Sequence, residues 1–136
     1  MNPNELQSIF EELWSEETSP HWQAHNPPFG QGAVTALAVH DIFGGEIVKT
    51  EAPSGWHYYN MVDGLRFDLT KGQFLDPLGY SDELSTRDEA LSVAGEDCYF
   101  TLKAKLKDVG RQQRAFLAHP SISQGRELLM TLGDRK

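Results

Sequence analysis

The stretch from Gly32 to Phe43 carries Ala33, Val34, Ala36, Leu37, Ala38, Val39 and Ile42 and is apolar nearly all round. A helix that is apolar on every face must be covered on every face, so the remainder of the chain has to wrap it. Gly44-Gly45 supplies a stop directly after Phe43, and glycine is the residue that most readily ends a helix. Upstream, Ser15 to Gly30 is broken by Pro20, Pro27, Pro28 and Gly30, the composition of an irregular loop. The sequence therefore predicts a buried central helix beginning at Gly32 and entered from a loop. With 136 residues, one domain fits and two hardly do. A chain of this size buries roughly 70% of its unfolded surface, enough to build the required cover.

The cover is predicted from both sides of that helix. Residues 1–31 form an N-terminal helix and the loop. Leu6, Ile9, Phe10 and Leu13 recur at helical spacing, Pro3 sits where a first turn tolerates it, and Glu5, Glu11 and Glu12 fall on the other face. Residues 32–75 hold the central helix and a β-meander of three antiparallel strands: Glu46 to Thr50, the aromatic-rich Trp56 to Val62, and Leu65 to Leu69. Asp63-Gly64 between the last two is a strong two-residue hairpin signal. Residues 76–136 supply C-terminal helices, after a loop expected from Asp76-Pro77 to Thr86. Thr86-Arg87-Asp88-Glu89 has capping-box spacing before a short helix ending near Gly95. Tyr99, Leu102, Leu106 and Val109 make another helical stripe; from Gly110 a polar tail is expected, with one more helix over Gln124 to Leu132. The fold class expected is a single α+β domain, its central helix packed on a small antiparallel sheet.

Charge narrows the partners. Twelve basic residues face 20 acidic ones, a formal charge of −8, so the basic stripe a phosphate-backbone reader needs is missing and no nucleic-acid partner is expected. The first 18 residues are acidic, with no basic n-region or apolar h-region. The longest near-apolar run, Ala33 to Val39, is far short of a membrane span. Cys98 is the only cysteine, which excludes an internal disulfide and a multi-cysteine metal cage. The expectation is a soluble, cytoplasmic domain without metal, cofactor or membrane partner; its oligomeric state is open.

The hairpin brings chemistry together. With Asp63-Gly64 as the turn, Val62 faces Leu65, Met61 faces Arg66, Tyr59 faces Asp68 and His57 faces Thr70. Opposed residues and their diagonal neighbours share a face, so His57 and Asp68 lie within side-chain reach. An imidazole oriented by a carboxylate is half of a nucleophilic triad. The bland alternative is a Tyr/His/Asp cluster that merely stitches the sheet. Just before the central helix stand Gln31 and Gly32. A glutamine there can donate to an oxyanion, and a thiol at a helix N-terminus is favoured as thiolate. The position that would hold the thiol holds glycine.

Four stretches carry a resemblance over roughly Trp14 to Val109: Asn26-Pro27 leading to Gly30-Gln31; Ala33-Val34-Thr35-Ala36-Leu37 with Asp41-Ile42-Phe43-Gly44-Gly45-Glu46-Ile47; Trp56-His57-Tyr58-Tyr59-Asn60; and Gly64-Leu65-Arg66-Phe67-Asp68-Leu69-Thr70 with Gln73-Phe74. Together they resemble the YunG-like family of small bacterial proteins. The resemblance implies a minimal papain/transglutaminase-like fold and a cysteine after the glutamine, giving a Cys–His–Asp thiol site for amide or ester carbonyls of a small molecule or protein. Carried over, Gln31 matches the oxyanion glutamine, His57 the base and Asp68 the orienting carboxylate. Gly32 departs from the pattern at the nucleophile. The expectations are an inactive hydrolase or acyltransferase, by natural loss or by knockout, or a non-catalytic binding module that uses the same cleft.

Other candidates are weaker. Cys98 sits beside Glu96 and Asp97, which raise a thiol pKa, and is expected to pack inward. His21 and His25 have metal-pair spacing but hardly room for a helical turn between Pro20 and Pro27. His40-Asp41 reads as a helix end bonded to backbone, and Lys103, Lys105 and Lys107 as a solvated face. Trp56, Tyr58 and Tyr59 are expected in the core more than at a cleft.

Overall fold

A computed structural model describes residues 3–117. It is an α+β fold. Helix α1 spans Pro3–Leu13, α2 Gly32–Phe43, α3 Arg87–Ala94 and α4 Glu96–Leu117; strand β1 spans Glu46–Ala52, β2 Gly55–Val62, β3 Leu65–Phe67 and β4 Glu83–Leu84. The sheet is antiparallel in the order β3-β2-β1-β4. The expected helix over Gln124 to Leu132 lies outside the described residues.

Helix α2 is the centre. Ala33 to Val39 and Ile42 are all buried, which is what an all-round apolar helix requires. Strand β2 covers one side, and α3 and α4 cover others, while α1 packs on α4. Leu6, Phe10 and Leu13 of α1, with Leu102 and Leu106 of α4, complete the same core. Two polar groups key the helix in place. The Trp14 indole N–H donates to Thr35 Oγ1 at 2.9 Å, and the Asn60 amide donates to the Ala36 carbonyl at 2.9 Å. Both pairs are buried, so each bond prevents the cost of an unsatisfied polar group in the core.

The hairpin register is Val62 opposite Leu65, Met61 opposite Arg66 and Asn60 opposite Phe67. Asp63 and Gly64 both take positive φ (51° and 77°), the requirement of the tight turn whose twist matches that of its strands. The third strand is shorter than Leu65 to Leu69. It stops at Phe67 because Asp68 turns its carboxylate to the Thr70 N–H (3.2 Å) and hydroxyl (3.3 Å), a local bond that competes with the ladder.

Several local expectations are corrected. The region after Asp76-Pro77, expected as loop up to Thr86, contributes β4 on the far edge of β1. Helix α4 continues past Gly110, which is buried, to Leu117. Lys103, Lys105 and Lys107 are half-buried rather than a solvated face. Lys105 Nζ donates to the Leu13 carbonyl and Ser15 Oγ, both at 2.9 Å, a cation on the C-terminal end of α1. Asp41 is bonded by side chains, not backbone: it accepts from Arg87 at 2.6 Å and from the Tyr99 hydroxyl.

Helix α3 is fastened to the sheet by Glu89. Thr86 Oγ1 accepts the Glu89 N–H as an N-cap at 3.1 Å, but the Glu89 carboxylate leaves the capping box. It takes Lys49 Nζ at 2.7 Å, the Tyr58 hydroxyl at 2.6 Å and Ser85 Oγ at 3.0 Å. The Lys49 bond, then the Tyr58 bond, hold its pKa down to about 2. A carboxyl depressed on folding stabilises above its unfolded pKa, and that contribution fades as pH falls through the folded value. Glu89→Gln is therefore expected to be less stable than the native chain at pH 6, with the gap narrowing between about pH 4.3, near the unfolded value, and pH 2. Urea midpoints across that range check it; a constant gap would show that the carboxylate is not the linked group.

Candidate functional site

Because β3 ends opposite Asn60, the edge of β2 beyond it is open at His57 and Tyr58. The N-terminus of α2 stands beside that edge. A Cβ built on Gly32 would lie 3.2 Å from His57 Nδ1 and 3.3 Å from the Tyr58 carbonyl oxygen. On the other side of the imidazole, His57 Nε2 is 2.8 Å from Asp68 Oδ2. His57 and Asp68 thus share one face and are in direct contact, with Gly32 at the opposite nitrogen.

Each partner of His57 narrows what it can do. The Tyr80 hydroxyl donates to the same Asp68 oxygen at 2.7 Å, and Thr70 occupies the other. An acceptor so surrounded assigns the proton of a neutral His57 to Nε2 and leaves the Nδ1 lone pair toward Gly32. The ring is held by stacking on Tyr59 (centroids 5.7 Å apart) and by the edge of Phe74 (4.9 Å). The His57 side chain is only 4% exposed, and no hydrogen bond among the described residues takes Nδ1. Tyr80 in turn packs on Tyr59 and lies under Arg66. Burial, followed by the bond to Asp68, raises the Tyr80 hydroxyl pKa, so it remains a donor. The loop that carries Tyr80 is clamped by Asp82, which accepts two bonds from Arg66 and one from Tyr59.

A cleft of about 260 Å³ opens beside His57, with Gly32, Ala33, Val34 and His57 among its lining and Asp68 outside it. Trp56 is 44% exposed and lines it, against the expectation of a core position, which Tyr58 and Tyr59 do occupy. Lys49 Nζ sits 4.4 Å from the Trp56 ring centroid while bonded to Glu89, so one cation orients the indole and fastens α3. Phe74, Gln73, Ser19 and Val93 also line the cleft, and sequence reasoning did not single them out as site residues. Tyr80 was missed as well. It lies between Gly79 and Ser81 in a loop without periodicity, where no local pattern announces a contact 12 residues away.

Gln31 takes a different position from the one its sequence neighbourhood suggests. It is fully buried; its carbonyl accepts from Thr18 at 2.8 Å, and its amide donates to the Ser15 carbonyl at 3.3 Å. The side chain ties the loop to the start of α2 and is not among the cleft-lining groups. His21 lines the cleft, whereas His25 is exposed elsewhere on the loop. Among the described residues no group of three or more His, Cys, Asp or Glu is placed to hold a metal ion. Nor is any helix long and apolar enough to cross a membrane. Cys98 is half-buried against the core.

Comparison with known proteins gives the chain its relatives. The uncharacterized protein YunG of Bacillus subtilis (strain 168) is 39% identical over 95 residues, covering 70% of this chain and 83% of that protein. No solved structure matches the chain at a significant level. The family described as YunG protein matches residues 2–110, a span that includes α1, α2, the sheet, the His57–Asp68 pair and most of α4. The chain belongs to the YunG family.

Proposed function

We propose that the cleft is a site of thiol-hydrolase or acyltransferase type, built for amide or ester carbonyls, in which glycine stands where the nucleophile belongs. The chain then binds its ligand without covalent turnover. The observation that carries this reading is the line Gly32–His57–Asp68. A side chain at position 32 would start 3.2 Å from one imidazole nitrogen, and the other nitrogen is 2.8 Å from a carboxylate. That is the spatial order nucleophile, base, orienter. Position 32 also opens a 12-residue helix, where the macrodipole favours a thiolate. Its φ lies outside the range that only glycine adopts readily; the backbone does not require glycine there. In the resemblance to papain- and transglutaminase-like sites, losing the nucleophile removes the covalent route and leaves only the rate that binding and polarisation provide.

One observation favours the second reading, a binding module without thiol chemistry. Gln31, the counterpart of the oxyanion glutamine, is committed to Ser15 and Thr18. The two readings separate on Gly32→Cys. A thiol whose alkylation by iodoacetamide follows a lowered pKa and depends on His57 supports the first. An ordinary thiol, indifferent to His57, overturns it and leaves the binding module.

A further inference from the structure

The N–H groups of the first helical turn have no acceptors within a helix. In α2 these belong to Gly32, Ala33 and Val34. The N-cap Gln31 makes no side-chain cap bond, and no hydrogen bond among the described residues takes any of the three N–H groups. All three residues line the cleft. Independently of the helix end, the His57 side chain, 4% exposed, presents Nδ1 to the same spot, 3.2 Å from the Gly32 Cβ position. With Nε2 on Asp68, Nδ1 donates only when the ring is doubly protonated. In that state Asp68 is the countercharge at Nε2, and an anion in the cleft accepts the second N–H at Nδ1.

The remaining cleft surface fixes the other end of the ligand. Its lining contains no Asp, Glu, Lys or Arg. Phe74, Trp56, Val93 and Ala94 make an apolar wall, with Trp56 and Val93 reaching the surface (44% and 59% exposed). The volume of about 260 Å³ compares with about 150 Å³ for a cavity that holds benzene, so it suits about ten non-hydrogen atoms. The chain's charge of −8 opposes an anion at long range. Beyond about 8 Å, however, physiological salt screens exposed charges, and none of the negative side chains lines the cleft.

We propose that the cleft binds a small monocarboxylate with an apolar body, its carboxylate on the Gly32–Val34 N–H groups and His57 Nδ1, and its body along Phe74, Trp56 and Val93. This deepens the reading of the cleft as a site for acyl compounds and rests on it only for the site's location.

The test is a titration of the native chain at pH 7 with 3-phenylpropanoate, in parallel with the nearly isosteric 3-phenylpropanamide and with acetate, followed by NMR. The amide signals of Gly32, Ala33 and Val34, the His57 ring and the Trp56 indole should shift together and saturate with the acid. The amide should bind at least tenfold more weakly, and acetate, lacking the body, should also be weaker. Gly32→Ala puts a methyl group where the carboxylate belongs and should abolish the discrimination. Val93→Lys, which sets a cation at the rim in place of part of the apolar wall, should weaken the amide and widen the preference for the acid over the amide a few-fold. Equal binding of acid and amide, saturation at other residues, or no saturable shift up to about 10 mM, weaker than any specific affinity worth the name, overturns the proposal. Such a failure alongside a His57-dependent thiol in Gly32→Cys removes only the ligand class. Acid-selective binding alongside an ordinary thiol keeps the ligand class and removes the thiol-site reading.

Discussion

Gly32→Cys is expected to alkylate at pH 6 about tenfold faster than an unperturbed thiol. The size follows from two opposing effects. If the helix N-terminus and a protonated His57 lower the thiol pKa from about 8.5 to about 6.5, the thiolate fraction at pH 6 rises from about 0.3% to about a quarter, roughly 75-fold. A less basic thiolate is also a weaker nucleophile, by about six- to tenfold over that pKa range, which leaves a net gain of about tenfold. The more decisive readout is the pH at which the rate rises. It should lie well below that of Cys98, which has no cation among its described partners and serves as the internal comparison when peptides are separated by mass. Adding His57→Ala should return the rise toward about 8.5 minus the helix contribution; Asp68→Asn, which keeps the ring but weakens its orienter, should fall between. The Cβ of the new side chain is tight against Nδ1 and the Tyr58 oxygen, so a few tenths of an ångström must be yielded. Thermal unfolding of each variant separates that strain from chemistry. A thiol with an ordinary rise that ignores both His57 and Asp68 excludes the thiol-site reading.

How much of this site is legible in the sequence depends on the range of the contacts. The central helix shows itself through composition alone, since no other arrangement buries Ala33 to Val39 and Ile42 together. The His57–Asp68 contact follows from the turn at Asp63-Gly64 and the two-residue period of strands. Even where the ladder stops one residue before Asp68, the side-chain direction survives long enough to make the contact. Tyr80, Phe74 and Gln73 were not legible, because they reach His57 and its neighbours from irregular backbone whose path is set by distant clamps, Asp82 on Arg66 above all. Gln31 shows the converse limit. Its place before α2 was readable, but the direction of its amide was decided by Thr18 and Ser15, residues of a loop with no period. Lys105 failed for the same reason: helical spacing puts it beside the apolar stripe, and only the arrival of the α1 C-terminus turns it into a cap.

Gly45→Ala should be far more destabilising than Gly44→Ala, although the residues are adjacent and both have positive φ (76° and 73°). At Gly44 a Cβ meets nothing within 4 Å, so the loss is conformational strain alone, about 1–3 kcal/mol. At Gly45 the same strain applies, but the Cβ would also stand 2.3 Å from the Met61 carbonyl oxygen and 3.2 Å from the Val62 Cα. These are backbone atoms of β2 and cannot swing aside as a flexible side chain would. Relief requires β1 and β2 to separate where Glu46 pairs with Met61, the first pair of their ladder. Forced overpacking of this kind adds about 1–3 kcal/mol, for a total of about 2–6 kcal/mol against a whole-domain stability of about 5–15 kcal/mol. The consequence reaches the site, because Met61, Tyr59 and His57 alternate along one strand face, and a one-residue slip of β2 would turn His57 away from Asp68. Urea unfolding of the two variants measures the difference, and the His57 ring signals report whether the imidazole stays on Asp68. Equal losses from Gly44→Ala and Gly45→Ala would mean that the Gly45–Met61 approach does not pin the register.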